Sequence, residues 1–133
     1  MSRLIFSLQQ SPQFVDGTRF ANGDLARVPS DAVVLTLEGS AIDDEGLSNL
    51  PPLESIRCLD LDSTKVSDRG LAKIASLSSL EELWLECTAV TDYGLLELRR
   101  LPNLKFVSVA YTNATASGIA ALVEANPGVE VVS

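Results

Sequence analysis

The sequence predicts an α/β solenoid, with a parallel sheet along one side and short helices along the other. Three observations predict it. Apolar residues recur at a fixed offset of 24 in the columns Leu35, Leu59, Leu83, Val107 and Leu37, Leu61, Leu85, Val109. Glycine recurs at the same offset, at Gly46, Gly70, Gly94 and Gly118, each followed by Leu47, Leu71, Leu95 or Ile119. No insertion disturbs this register from Val34 to Val131. A leucine-spaced period in the twenties marks stacked supersecondary units, none of which buries its apolar face alone.

The clearest unit runs from Leu80 to Leu101, LEELWLECTAVTDYGLLELRRL. It opens with alternation: Leu83 and Leu85 point one way, and Glu82, Trp84 and Glu86 the other, which is the period of a half-buried strand. A helix start follows. The column Asp43, Ser67, Thr91, Thr115 holds only residues whose side-chain oxygens cap helix N-termini. The next column, Asp44, Asp68, Asp92, places a carboxylate in the first turn, where the helix dipole favours it. Leu95, Leu98 and Leu101 then form an inward stripe. Pro51, Pro52, Pro102 and Pro127 mark the loops that lead to the next strand.

The string L-x-x-L-x-L-x-x-T-x-V-[ST]-D-x-G-L resembles a leucine-rich repeat. It is most similar to the short bacterial type with VTDxGL cores, and similar also to the cysteine-containing subclass of F-box substrate receptors. The resemblance covers Ala32 to Ser133. It implies strands on a concave side that serves as the usual binding surface, and helices on the convex side. The commonest asparagine position of such repeats holds Ser40, Thr64, Thr88 and Thr112 here, whose hydroxyls can still bond to the turn backbone. No F-box-like helical segment precedes the repeats.

Residues 1–31 depart from the repeat and are expected to form an N-terminal cap, leaving four 24-residue units and a terminal strand over 32–133 within one domain. Within the cap, Leu4-Ile5-Phe6-x-Leu8 is expected as a strand, Asp16-Gly17 as a turn and Thr18–Phe20 as a second strand. Asn22-Gly23-Asp24 echoes the helix starts of the repeats. The run LIFSL is too short for a signal peptide core or a membrane span, which points to a cytoplasmic protein. The last unit decays: Ala116 replaces the first-turn Asp, and Val129–Val132 closes the sheet as an edge. A monomer is expected over pairing of two such edges.

Chemistry is sparse. The chain has no histidine, so the commonest general base and metal ligand is missing and thiol or hydroxyl nucleophiles lack their usual partner. Cys58 and Cys87 lie five positions out of register on neighbouring strands, roughly 16 Å apart, too far for a disulfide. No glycine loop is followed by Lys-[ST]. The Asp44, Asp68, Asp92 column would stack at about 5 Å spacing, but its helix-start position already accounts for it. No enzyme activity, cofactor or metal is expected. The net charge of −8 argues against nucleic acid and anionic membrane as partners.

What remains is the outward face of the sheet. Its columns read Val34, Thr36, Glu38; Cys58, Asp60, Asp62; Glu82, Trp84, Glu86; Phe106, Ser108, Ala110; and Glu130, Val132, with Gly39, Ser63, Cys87 and Tyr111 just beyond. Lys and Arg are absent from these columns; Arg57 and Lys105 stand at the strand entrances. Asp60, Asp62, Glu82, Trp84, Glu86, Phe106 and Tyr111 are the expected partner-binding residues, because an aromatic anchor amid carboxylates suits a basic protein or peptide. An inhibitor or immunity-type protein masking a basic enzyme is the alternative.

Overall fold

A computed structural model of the chain describes residues 8–133. Six three-residue strands form one sheet in sequence order, with every neighbouring pair parallel. They are β1 (Phe14–Asp16), β2 (Val34–Thr36), β3 (Cys58–Asp60), β4 (Glu82–Trp84), β5 (Phe106–Ser108) and β6 (Glu130–Val132). From β2 onward each residue pairs with the one 24 positions later, so Leu35, Leu59, Leu83, Val107 and Val131 stand side by side. Four helices, α1 (Asp44–Leu47), α2 (Asp68–Ile74), α3 (Asp92–Leu98) and α4 (Ala116–Ala125), pack on the other side and lengthen along the chain.

Burial follows the leucine columns. Leu35, Leu37, Leu59, Leu61, Leu83 and Leu85 are fully buried, as are Leu47, Leu71 and Leu98 from the helices. Leu50, Leu53, Ile56, Leu77, Leu80, Leu101 and Leu104 close the core where each helix returns to the next strand.

The N-terminal stretch differs from its sequence reading. Of the expected first strand, residues 4–7 lie outside the described residues, and Leu8 is helical rather than extended. The strand near the Asp16–Gly17 turn comes before it, as β1, and Thr18–Phe20 is not a strand. Asp16 turns the chain itself: its Oδ1 accepts from the Thr18 backbone N–H at 3.0 Å and from its hydroxyl at 2.7 Å. A single 3-10 segment, Asn22–Arg27, follows. Phe14 pairs with Val34, only 20 positions on, so β1 and this segment make a shortened version of the repeating unit.

The helix starts show a lattice that the dipole reading of the first-turn aspartates left out. Asp44 Oδ1 accepts from the Ser67 backbone N–H at 2.7 Å and from Gly70 N–H at 3.0 Å. Asp68 accepts from the Thr91 N–H at 2.7 Å and its hydroxyl at 2.6 Å. Asp92 does the same for Thr115, with its Oδ1 2.7 Å from the Thr115 N–H. Each carboxylate thus fastens its helix to the cap residue of the next unit, and the bonds to Thr115 hold the Asp92 carboxyl below its usual range. The glycine column exists for this contact: a Cβ on Gly70, Gly94 or Gly118 would overlap Oδ1 of Asp44, Asp68 or Asp92. Asn22 plays the corresponding part at the first helix, where its Oδ1 accepts from Asp43 N–H at 3.2 Å and would overlap a Cβ on Gly46.

The turns that leave the strands also repeat. Thr64, Thr88 and Thr112 donate their hydroxyls to the carbonyls of Leu61, Leu85 and Val109, at 2.8, 2.7 and 2.6 Å. The hydroxyl therefore replaces the asparagine of the commonest repeat. Ser40, in the same column, is the exception: its buried hydroxyl has no partner among the described residues. The residue before each hydroxyl is left-handed, with φ of 70° at Gly39, 56° at Ser63, 57° at Cys87 and 59° at Tyr111. Outside glycine that conformation costs about 1–2 kcal/mol, so three of the four turns carry strain.

Candidate functional site

The face of the sheet turned away from the helices brings most of the expected residues together. Asp60 and Trp84 are register partners on β3 and β4, and Glu82 and Phe106 are partners on β4 and β5. Asp62 and Glu86 follow directly after their strands. The Trp84 and Phe106 rings lie 4.9 Å apart at a 40° tilt, within the range of favourable aromatic pairing. Tyr111 stands apart on the rim, 85% exposed, held outward by its left-handed turn.

The acids are less solvated than their outward positions imply. Asp60 is 5% exposed and Glu82 7% exposed, while Asp62, Trp84, Glu86 and Phe106 are half-buried. The covering is mutual. Parallel strands set neighbours roughly 4.8 Å apart, so a large ring on one strand shades the shorter side chains beside it. Trp84 Nε1–H donates to Glu82 Oε1 at 2.6 Å, so that carboxylate serves the indole. Asp60 Oδ1 accepts from the Asp62 N–H at 3.0 Å, and Asp62 Oδ1 from the Glu86 N–H at 2.7 Å. Glu86 Oε2 accepts the Ser108 hydroxyl at 2.6 Å.

The electrostatics follow from this packing. Burial raises Asp60 from 3.8 to about 6, helped by the like charges of Glu38, Glu86 and Glu82 and opposed by the Asp62 N–H. Burial raises Asp62 to about 7, with Asp60, Glu86 and Glu38 adding repulsion. These two carboxyls interact, so they release their protons as a pair near neutral pH. The basic side chains at the strand entrances are committed elsewhere. Arg57 Nε lies 2.7 Å from Glu81 Oε2 and Lys105 Nζ 3.1 Å from Glu81 Oε1, at the opposite strand ends.

Two residues belong with this cluster that the expected set omitted. Glu38 repels both aspartates, and Ser108, fully buried, fixes Glu86. Both were legible as column members: Glu38 shares the 24-residue column of Asp62 and Glu86, and Ser108 that of Asp60 and Trp84. Cys58, in the outward column, is fully buried and Cys87 is exposed; the two form no disulfide. Among the described residues, no helix is long and apolar enough to cross a membrane.

No family model matches the chain, and no curated protein matches it. Solved structures are. A leucine-rich repeat protein of Leptospira interrogans superposes over 86% of this chain with a TM-score of 0.62 at 19% identity. An internalin of Listeria monocytogenes superposes over 86% with a TM-score of 0.53 at 15% identity. The chain spans 28% and 38% of those two proteins' lengths. At such identities the likeness establishes the fold: a leucine-rich repeat solenoid with its parallel sheet on the concave side and short helices on the convex side.

Proposed function

We propose that this chain is a non-enzymatic recognition module that binds a protein or peptide through a basic segment on its concave sheet. One observation carries the reading. Five carboxylates, Glu38, Asp60, Asp62, Glu82 and Glu86, surround the Trp84–Phe106 pair on a face whose strands present no Lys or Arg. Crowding like charges on half-buried ground costs folding free energy, and an incoming cation relieves that cost while the rings supply contact area. Asp62, Trp84, Glu86, Phe106 and the exposed Tyr111 form the contact surface, and Asp60 and Glu82 set its charge from beneath. Residues 1–31 serve as its cap, and the module acts as a cytoplasmic monomer. An inhibitor or immunity-type protein would use the same face. It would differ in very tight, salt-sensitive one-to-one binding to a basic enzyme.

The test compares wild type with a Trp84→Ala, Asp62→Lys, Glu86→Lys variant in pull-downs from source lysate, after circular dichroism shows the variant folded. Buried Asp60 is left alone so that folding is preserved. The expected result is a basic partner, retained by wild type only and released by salt. A partner captured equally by both proteins places the binding surface elsewhere.

A further inference from the structure

We infer that the group this face receives is an arginine guanidinium, laid against the Trp84–Phe106 rings with its N–H groups on the unpaired oxygens of Asp60, Asp62 and Glu86. This rests on the proposed function and narrows it to one side-chain chemistry.

The hydrogen bonding of the three carboxylates leads there. Each has one oxygen anchored by a donor of the protein: Asp60 by the Asp62 N–H, Asp62 by the Glu86 N–H, Glu86 by the Ser108 hydroxyl. The second oxygen of each has no donor among the described residues. For Asp60 this matters most, because the side chain is only 5% exposed and the oxygen without a protein donor still meets solvent. A ligand donor would take the place of solvent there. Two of the three anchors are backbone amides, so the carboxylates are positioned before any ligand arrives.

Among the described residues, the face holds no cation that could serve instead. Facing the cluster are Glu38 from the turn after β2, Asp60 and Asp62 from β3, and Glu82 and Glu86 from β4. Among the described residues, β5 adds Phe106 and the uncharged Ser108, with Tyr111 on the rim beyond it. Arg57 and Lys105 are spent on Glu81, roughly 10 Å from Asp60 and roughly 16 Å from Asp62 and Glu86 along the strands.

Three open acceptors beside an aromatic wall match a guanidinium better than an ammonium. The guanidinium presents five donors in one plane and stacks flat on a ring, whereas an ammonium presents three donors as a compact, strongly hydrated charge. The raised Asp60 and Asp62 fit this picture: a guanidinium favours their charged forms, so binding strengthens as pH rises through neutrality.

The chain's single tryptophan provides the readout. Tetra-arginine amide and tetra-lysine amide are titrated into the full chain at low salt and neutral pH, following Trp84 fluorescence. Wild type is compared with Asp62→Asn and with Glu54→Gln, an exposed acid outside the sheet. Asparagine retains an oxygen for the Glu86 N–H, and circular dichroism confirms the fold. The arginine peptide is expected to bind at least about tenfold more tightly than the lysine peptide, with Asp62→Asn losing about tenfold and Glu54→Gln losing nothing. Equal affinity for the two peptides overturns the arginine inference and leaves a basic ligand standing. Arginine binding unchanged by Asp62→Asn, or weakened equally by Glu54→Gln, overturns it as general attraction to an acidic surface. No Trp84 response to either peptide overturns both the inference and the proposed function.

Discussion

Lowering the pH from about 8 to about 5 should stabilise this protein, the reverse of ordinary acid denaturation. The cause is Asp60, whose carboxyl is raised from 3.8 to about 6 because it is buried among like charges. A carboxyl raised in the folded state contributes stability that is complete below its unfolded value and is lost as pH rises through its folded value. At ~1.4 kcal/mol per tenfold, about half of Asp60's full shift falls within that window, so it loses roughly 1 kcal/mol there after allowance for solvent screening. Asp62, raised to about 7, acts in the same direction. The window is clean because the chain has no histidine. The lowered carboxyls, Asp16, Asp43, Glu81 and Asp92, act with the opposite sign and only at lower pH. Urea or thermal unfolding at several pH values, for wild type and Asp60→Asn, checks this. The wild-type midpoint should fall from acidic to alkaline pH, by roughly 3–5 °C for Asp60's ~1 kcal/mol in a chain of this size and by more with Asp62 added. Asp60→Asn, which retains an acceptor for the Asp62 N–H, should flatten the profile and exceed wild type at the alkaline end. A wild-type profile that is level or rises with pH would refute the argument that Asp60 is buried without a counter-charge.

Two further outcomes concern the scaffold. Gly94→Ala should destabilise by about 1–3 kcal/mol, because the new Cβ collides with Asp68 Oδ1 and Leu71 Cδ1. Adding Asp68→Ala should recover part of that loss in a double-mutant cycle of unfolding free energies; strict additivity would disprove the coupling. Ser63→Gly and Cys87→Gly should each stabilise by up to about 1 kcal/mol by relieving a left-handed turn, even though glycine costs more chain entropy. A loss of stability in both would show that their side chains do more than occupy the turn.

Much of the architecture was legible in the sequence because a solenoid is local. The strand pairs lie 24 residues apart, the helices start at Asp43, Ser67, Thr91 and Thr115, of which Ser67 alone makes no side-chain cap bond, and the leucine columns are the core. Periodicity reports these directly, since each unit repeats the same contacts with the next. The stretch before β2 was harder to read. It pairs 20 rather than 24 residues away, and no column marks Phe14–Asp16 as a strand. The membership of the concave face was also in the columns, as Glu38 and Ser108 show.

The sequence alone determined the repeat, the direction of every outward side chain and the absence of histidine chemistry. Tertiary structure decided how those side chains share space. Stacking drew the first-turn aspartates away from their own helices and onto the next unit's cap, which is why glycine follows them one period later. Stacking also set Trp84 and Phe106 beside Asp60 and Glu82 and removed those carboxylates from water. Burial and charge crowding are properties of neighbours in space, and a linear pattern names the neighbours without saying how much solvent they leave.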